Sequence, residues 1–243
     1  MEAAVYTRLS PLFGTVFPDG GIMKVLGIIQ ARLGSERFPK KIIKQIPLES
    51  GMSMLELIVR KALLATTLNE VVVVTPDRFV AVLCNRWNVK AYMPFWEGRD
   101  VLREFYEAAK EEEANVVVRL TGDCAFIQPD VIDTMVDYFV NGGKAILYNT
   151  DESIGQLEGE GSDVEVFTVE ALKQAHQNAK GKDREHVTSW IRRNLNSEYY
   201  GCLKKGIRSI NTPEDYEWAC RYMKGEKKVV NDMEPSLPGL LNH

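Results

Sequence analysis

Between residues 24 and 149 the chain repeatedly sets a short, nearly uninterrupted apolar run beside a longer segment with helical spacing. The runs are KVLGIIQ (24–30), EVVVVT (70–75), VKAY (89–92), NVVVRL (115–120) and KAILYN (144–149). A strand with one solvated face alternates apolar and polar side chains, so consecutive β-branched residues imply strands covered on both faces. The segments between them read as helices: SMLELIVRKALLATT (53–67), Asp77 to about Trp87, VLREFYEAAKEEE (101–113) and VIDTMVDYFV (131–140). Ser53-x-x-Glu56 has the form of a capping box, and Asp100 caps the third helix. Pro129 opens the fourth, which stops at Asn141-Gly142-Gly143. This alternation predicts an α/β fold, a three-layer arrangement of a mostly parallel sheet with helices on both faces. KEEE (110–113) is expected to be the solvated end of a helix.

After residue 150 the rhythm changes. DESIGQLEGEGSD (151–163) is a polar loop without an apolar period, expected near the ligand. VEVF (164–167) reads as a strand, and VEALKQAHQNAK (169–180) and REHVTSWIRRNL (184–195) as helices. GIRSI (206–210) precedes Thr212-Pro213-Glu214-Asp215, a capped helix start. Residues 1–22 lack the basic start and apolar core of a secretory leader, and FPDGG within them is turn chemistry. They are expected to be an extension outside the core, leaving residues 23–243 as a single domain whose tail PSLPGLLNH is frayed.

Of 243 residues 45% are apolar, enough for one sizeable core. Thirty basic against 34 acidic side chains give a net charge of −4, without the global basic field of a nucleic-acid binder. No run approaches the roughly 18 apolar residues of a membrane span. Four scattered cysteines without a C-x-x-C pair suit a reducing cytoplasm better than a disulfide framework or a zinc site.

The candidate site begins where the first strand ends. Arg32, Gly34, Ser35, Arg37 and Lys41 follow directly, and in an open parallel sheet ligands bind beyond the carboxyl ends of strands. Glycine lets backbone approach an anion, serine adds a donor, and Arg32 and Lys41 neutralise phosphate oxygens. The plain alternative is a solvated turn. Neither G-x-G-x-x-G nor G-x-x-x-x-G-K-[ST] is present. A second strand ends in Arg119-Leu120-Thr121-Gly122-Asp123, which places a carboxylate where a hard cation could sit. Mg²⁺ takes one or two carboxylates and fills its octahedron with water and phosphate oxygens. The alternative for Asp123 is a cap for the helix at Pro129. Together the two loops read as a triphosphate–Mg²⁺ site.

IIQARLGSERFPKKII (28–43) resembles the opening motif A-R-x-G-S-x-R-x-P-x-K of the cytidylyltransferases that activate acidic sugars. VVVRLTGDCAFIQPDVID (116–133), SDVEVFTVEAL (162–172), REHVTSWIR (184–192) and INTPEDYE (210–217) resemble the branch called spore coat polysaccharide biosynthesis protein F. The similarity runs in order from about Met23 to Tyr222. It implies a nucleotide-diphospho-sugar transferase-like fold and transfer of CMP from CTP to a 3-deoxy-octulosonate or nonulosonate type of sugar. Mg²⁺ is the implied cofactor. The expected partners are CTP, a small acidic sugar and a second copy of the chain in a homodimer, with neither nucleic acid nor membrane.

By the same resemblance Arg32, Ser35, Arg37 and Lys41 cradle the CTP phosphates, with Gln30, Ala31, Gly34, Thr75, Arg119 and Gly122 also around the nucleotide. Asp123 binds Mg²⁺ and position 211 supplies the second metal ligand. Two residues depart from the pattern: Ala125 replaces proline after G-D-C, and Asn211 replaces aspartate in D-T-P-E-D. Arg184, Glu185 and His186 become acceptor contacts, although His186 has an equally good structural reading. Asp163 and Glu165 project to one face of a strand, toward substrate, metal or water. Cys124 reads as packing rather than a nucleophile, and Trp96 as edge packing or a stacking platform. A non-catalytic nucleotide-binding regulator, or an enzyme with a phosphonate or other non-sugar acceptor, are the alternative functions.

Overall fold

The computed structural model describes residues 15–16, 22–49, 51–96, 98–150 and 161–225. Most of residues 1–22, residues 151–160 and residues 226–243, on which the extension, polar-loop and tail expectations fall, lie outside them. A short antiparallel ladder pairs β1 (Thr15–Val16) with β2 (Ile22–Met23).

The first apolar run forms β3 (Val25–Gln30), hydrogen-bonded in parallel to β4 (Glu70–Val74) on one side and to β6 (Val116–Thr121) on the other. Beyond β4, β5 (Lys90–Tyr92) forms one edge. Beyond β6 the sheet becomes mixed. β8 (Val164–Thr168) runs antiparallel between β6 and β7 (Ile146–Tyr148), and β9 (Ser197–Tyr199) closes the second edge parallel to β7. The seven-stranded order is β5-β4-β3-β6-β8-β7-β9.

Helices cover both faces, which explains the consecutive apolar residues. Val25, Ile29, Val71, Val73 and Val118 pack under α1 (Met54–Leu63), α2 (Arg78–Arg86), α4 (Pro129–Gly142) and α7 (Pro213–Met223). Leu26, Ile28, Val72, Val74 and Val117 pack under α3 (Val101–Glu111), α5 (Val169–Asn178) and α6 (Ser189–Asn194). The expected mostly parallel, three-layer α/β fold is therefore the observed one. Among the described residues no helix is long and apolar enough to cross a membrane.

Several local expectations change. The Ser53 hydroxyl accepts from the Glu56 amide, but the Glu56 carboxylate turns to Arg60, so the box closes only halfway. The complete box lies at α7, between Thr212 and Asp215. The helix expected over 184–195 is broken: a 3₁₀ turn spans Gly181–Arg184 and the α-helix begins at Ser189. Between them Val187 is buried and the Thr188 hydroxyl donates to Glu165 at 2.8 Å, contacts that hold this segment to the sheet.

KEEE (110–113) is solvated except at one residue: Lys110, Glu111 and Glu113 are exposed as expected, and Glu112 is not. Glu112 is 6% exposed and accepts from Lys24, directly before β3, and from Lys90 and Tyr92 on β5. Burial alone raises its pKa, but the hydrogen bonds from Lys90 and Tyr92 dominate and bring it down to about 2.

Candidate active site

Strand order reverses at β3, whose two neighbours are β4 and β6. In open sheets a ligand binds at the carboxyl end of such a switch point. Gln30 and Thr121 are register partners at the last rung of β3 and β6. Gly122 follows, and a Cβ there would lie 2.5 Å from the Gln30 carbonyl oxygen. Glycine is thus required for the two strand ends to approach. At Gly34 a Cβ would meet nothing within 4 Å, so packing does not demand glycine in the basic loop.

A cleft of about 570 Å³ opens at this end of the sheet. Gln30, Arg32, Ser35, Arg37 and Lys41 line it from the first loop, and Arg119, Gly122 and Asp123 from β6. Asn211, Glu185 and His186 are the other sequence candidates in its lining; Ala31, Gly34, Thr75, Asp163, Glu165 and Arg184 are not part of it. The first loop is held at its base: the Leu33 amide donates to Asp77 Oδ2 at 2.7 Å, and the Lys40 amide to the Leu33 carbonyl at 2.9 Å.

Lys41 ties the floor together. Its side chain is buried, and Nζ donates to Asp123 Oδ2 at 3.3 Å, the Ile210 carbonyl at 2.8 Å and Asn211 Oδ1 at 3.0 Å. The Ile210 amide in turn donates to the Asp123 carbonyl at 2.9 Å, joining the two loops through backbone. Asn211 Nδ2 donates to Ser209 Oγ at 2.9 Å, which presents Oδ1 toward Lys41. Asn211 is not the α7 cap, a role taken by Thr212, and the cap of α4 is Gln128 rather than Asp123.

Asp123 and Asn211 thus converge on one small volume. A carboxylate and an amide oxygen are hard ligands of the kind Mg²⁺ accepts. Among the described residues no three His, Cys, Asp or Glu side chains form a ready-made cage. Asp163, immediately before β8, has its carboxyl pushed up to about 6 by burial and by the negative charge of Asp123. That is an electrostatic surplus a cation would relieve.

The other candidates have different surroundings. Glu165 faces Arg119 across the β6–β8 pair at 2.6 Å and also accepts from Arg192 and Thr188. Burial opposes ionisation of Glu165, but the two guanidinium charges hold its pKa below the ordinary value. Thr75 is buried and its hydroxyl accepts from the Asp77 amide at 3.1 Å, so it shapes the β4–α2 turn. Arg184 is outside the cleft lining and pairs with Asp100 at 2.7 Å. Cys124 is buried, which pushes its thiol well above the ordinary value and suits packing. Trp96 packs on the Arg103 guanidinium at 4.2 Å.

Sequence reasoning missed Arg99, which lines the cleft directly before the α3 cap. The signal was available, because a loop entering a helix after a parallel strand lies at the same sheet end as the other loops. A second cleft of about 240 Å³ adjoins the first: Gln30, Arg32 and Arg99 line both, and Ala31, Gly34 and Glu104 line the smaller one.

The family model described as cytidylyltransferase matches residues 26–224. An uncharacterized protein of Methanocaldococcus jannaschii is 33% identical over 80% of this chain and 81% of its own. The spore coat polysaccharide biosynthesis protein SpsF of Bacillus subtilis is 26% identical over 79% of this chain and 83% of its own. Among solved structures, a CMP:2-keto-3-deoxy-manno-octonic acid synthetase complexed with CTP superposes with TM-score 0.68 at 18% identity, covering 84% of this chain and 99% of the other. With the family model spanning both the basic loop and the Asp123–Asn211 floor, the chain belongs to the cytidylyltransferase family.

Proposed function

We propose that this chain transfers CMP from CTP to an oxygen of a small acidic sugar and releases pyrophosphate, as a step toward a surface polysaccharide or glycan. The observation that carries the reading is the convergence of Lys41, Asp123 and Asn211 beneath a loop bearing Arg32, Ser35 and Arg37. Family membership supports the nucleotide, and the fold shared with an acid-sugar synthetase supports the acceptor. The resemblance to SpsF supports the spore-coat branch.

In this reading the triphosphate lies in the larger cleft and the cytidine extends into the smaller one past Arg32. The acceptor hydroxyl oxygen bonds to the α-phosphorus and its proton passes to water. The bond from that phosphorus to the bridging oxygen breaks, and its electron pair leaves with pyrophosphate. Arg32, Arg37 and Lys41 offset the charge that builds on the leaving group. Gln30 and the Gly122 backbone set the depth to which the phosphates enter. Catalysis of this kind is positioning and charge neutralisation, with no covalent enzyme intermediate. Asp123 and Asn211 would hold Mg²⁺, which when bound screens the phosphate oxygens.

One observation favours a second reading, a nucleotide-binding regulator without turnover: Lys41 already satisfies both metal-ligand candidates with an ammonium. Pyrophosphate release from CTP, measured with a panel of sugar acids across a Mg²⁺ titration, separates the two. For the enzyme, Asn211→Asp remains active and saturates at lower Mg²⁺, while Asn211→Ala loses most turnover. A parent that binds CTP and stays inert with every acceptor, with Asn211→Asp alone restoring release, establishes the regulator. A parent that CTP does not protect against unfolding overturns both readings.

A further inference from the structure

Two short sequences meet beside the larger cleft: Arg99-Asp100 at the entrance to α3, and Arg184-Glu185 at the end of the 3₁₀ turn. Their four charges pair crosswise. In the inner pair Arg184 Nε and Nη2 each lie 2.7 Å from Asp100 Oδ2. The rest of that guanidinium is spent on the His176 carbonyl (3.0 Å), the Ala179 carbonyl (3.3 Å) and His176 Nδ1 (3.2 Å), at the end of α5. The other Asp100 oxygen caps α3 by accepting from the Arg103 amide at 3.0 Å. This inner pair is therefore a rivet between α3, α5 and the 3₁₀ turn.

The outer pair is of a different kind. Arg99 Nη1 lies 3.6 Å from Glu185 Oε2, with the side chains 42% and 51% exposed. That separation is beyond a hydrogen bond, and an exposed single contact contributes little. The other cleft cations are differently placed. Lys41 makes three hydrogen bonds, Arg119 is 2.6 Å from Glu165, and Arg32 and Arg37 belong to the basic loop. Arg99 is thus a cleft guanidinium directly before the α3 cap, outside that loop, whose ion-pair partner is loosely attached.

We propose that Arg99 is an oxyanion receptor and Glu185 its displaceable counter-ion. A ligand carboxylate or terminal phosphate replaces the Glu185 carboxylate on the guanidinium, which offers either group two parallel N–H donors. The inference rests on the cleft being the nucleotide and sugar-acid site. It makes Arg99 a specificity-determining residue: a neutral ligand has nothing to exchange for Glu185.

The test titrates the parent, Arg99→Ala and Glu185→Gln by calorimetry with CTP, CMP, inorganic pyrophosphate and 3-deoxy-manno-octulosonate. Arg99→Ala is expected to weaken an oxyanion ligand by about tenfold or more, the scale of one charge-assisted contact. Losses for CTP and pyrophosphate but not CMP identify a terminal phosphate as the natural occupant. A loss confined to the sugar acid identifies its carboxylate. Glu185→Gln is expected to tighten the same ligand. Unfolding temperatures near the parent's show that the inner rivet is intact, and Arg99→Lys, which keeps charge without the fork, should lie between parent and Arg99→Ala. Unchanged affinities in Arg99→Ala overturn the receptor while leaving the CTP site standing. Weaker binding in Glu185→Gln overturns the counter-ion role. A parent that binds none of the four overturns this proposal together with the function on which it rests.

Discussion

Replacing Lys41 by methionine tests the electrostatics of the floor, because an unbranched apolar side chain of similar length is kept while the ammonium is removed. Three acceptors then lose their donor: the Ile210 carbonyl at 2.8 Å, Asn211 Oδ1 at 3.0 Å and Asp123 Oδ2 at 3.3 Å. Hydrogen bonds from a charged donor contribute about 1.5–3 kcal/mol each, and leaving a buried acceptor unpaired carries a similar penalty. Against this, a methionine thioether is far easier to bury than an ammonium. The long contact to Asp123, whose side chain is 28% exposed, also adds less than the other two. The net loss expected is about 2–3 kcal/mol. At about 2–4 °C per kcal/mol for a chain of this size, that lowers the melting temperature by about 4–12 °C.

The same change alters the response to cations. In the parent the ammonium occupies the space between Asp123 and Asn211, so Mg²⁺ without nucleotide should stabilise only weakly. In Lys41→Met those oxygens face each other unshielded, and Mg²⁺ should recover part of the lost stability. CTP affinity should meanwhile fall about 10–100-fold. Thermal and urea unfolding with and without Mg²⁺, together with CTP calorimetry, read all three effects. A variant that melts within about a degree of the parent and responds to Mg²⁺ identically refutes the coupling of the two loops through Lys41.

Gly122→Ala places a methyl 2.5 Å from a backbone oxygen, so β3 and β6 must part at the site. We expect a loss of about 1–3 kcal/mol in urea unfolding, with weakened CTP binding; an unperturbed variant would show that the strand ends give way freely. Glu104 is buried, and burial, with Asp100 nearby, pushes its carboxyl up to about 6 against the pull of Arg99. The unfolded chain therefore holds fewer protons than the folded one between about pH 4.5 and 6, and stability falls as pH rises through that window. Glu104→Gln should stabilise by about 2 kcal/mol above that window and not below it. An equal effect at pH 4 and pH 8 would refute this.

The strands and helices before residue 150 were legible because burial on both faces leaves no polar register to hide them. β9 was not: Ser197, Glu198 and Tyr199 are all half-buried at an edge and carry no apolar period. The antiparallel β8 was readable as a strand, but direction is set by its partners and not by its own side chains. Glu112 looked like a solvated helix end because Lys24 and Lys90, which draw it inward, lie 88 and 22 residues away. At the site, residue types and loop positions carried Arg32, Lys41 and Asp123 to one cleft. Arg184 shows the limit of that reasoning. Its neighbour Glu185 lines the cleft, while a rotation along the 3₁₀ turn sends Arg184 to the α3 cap.

The floor of the cleft also has a place in time. Lys41 meets Ile210 and Asn211 across separations of 169 and 170 residues. Closing so long a loop is entropically unfavourable until the intervening sheet is already in place. During synthesis the basic loop and Asp123 emerge and can settle into the growing sheet well before residue 211 leaves the ribosome. A chain interrupted before α7 can therefore hold most of the parallel strands and still lack the third side of its floor. Competence at this centre would then report that the segment carrying Ile210 and Asn211 has arrived and docked, a property built in by the order in which its parts are made.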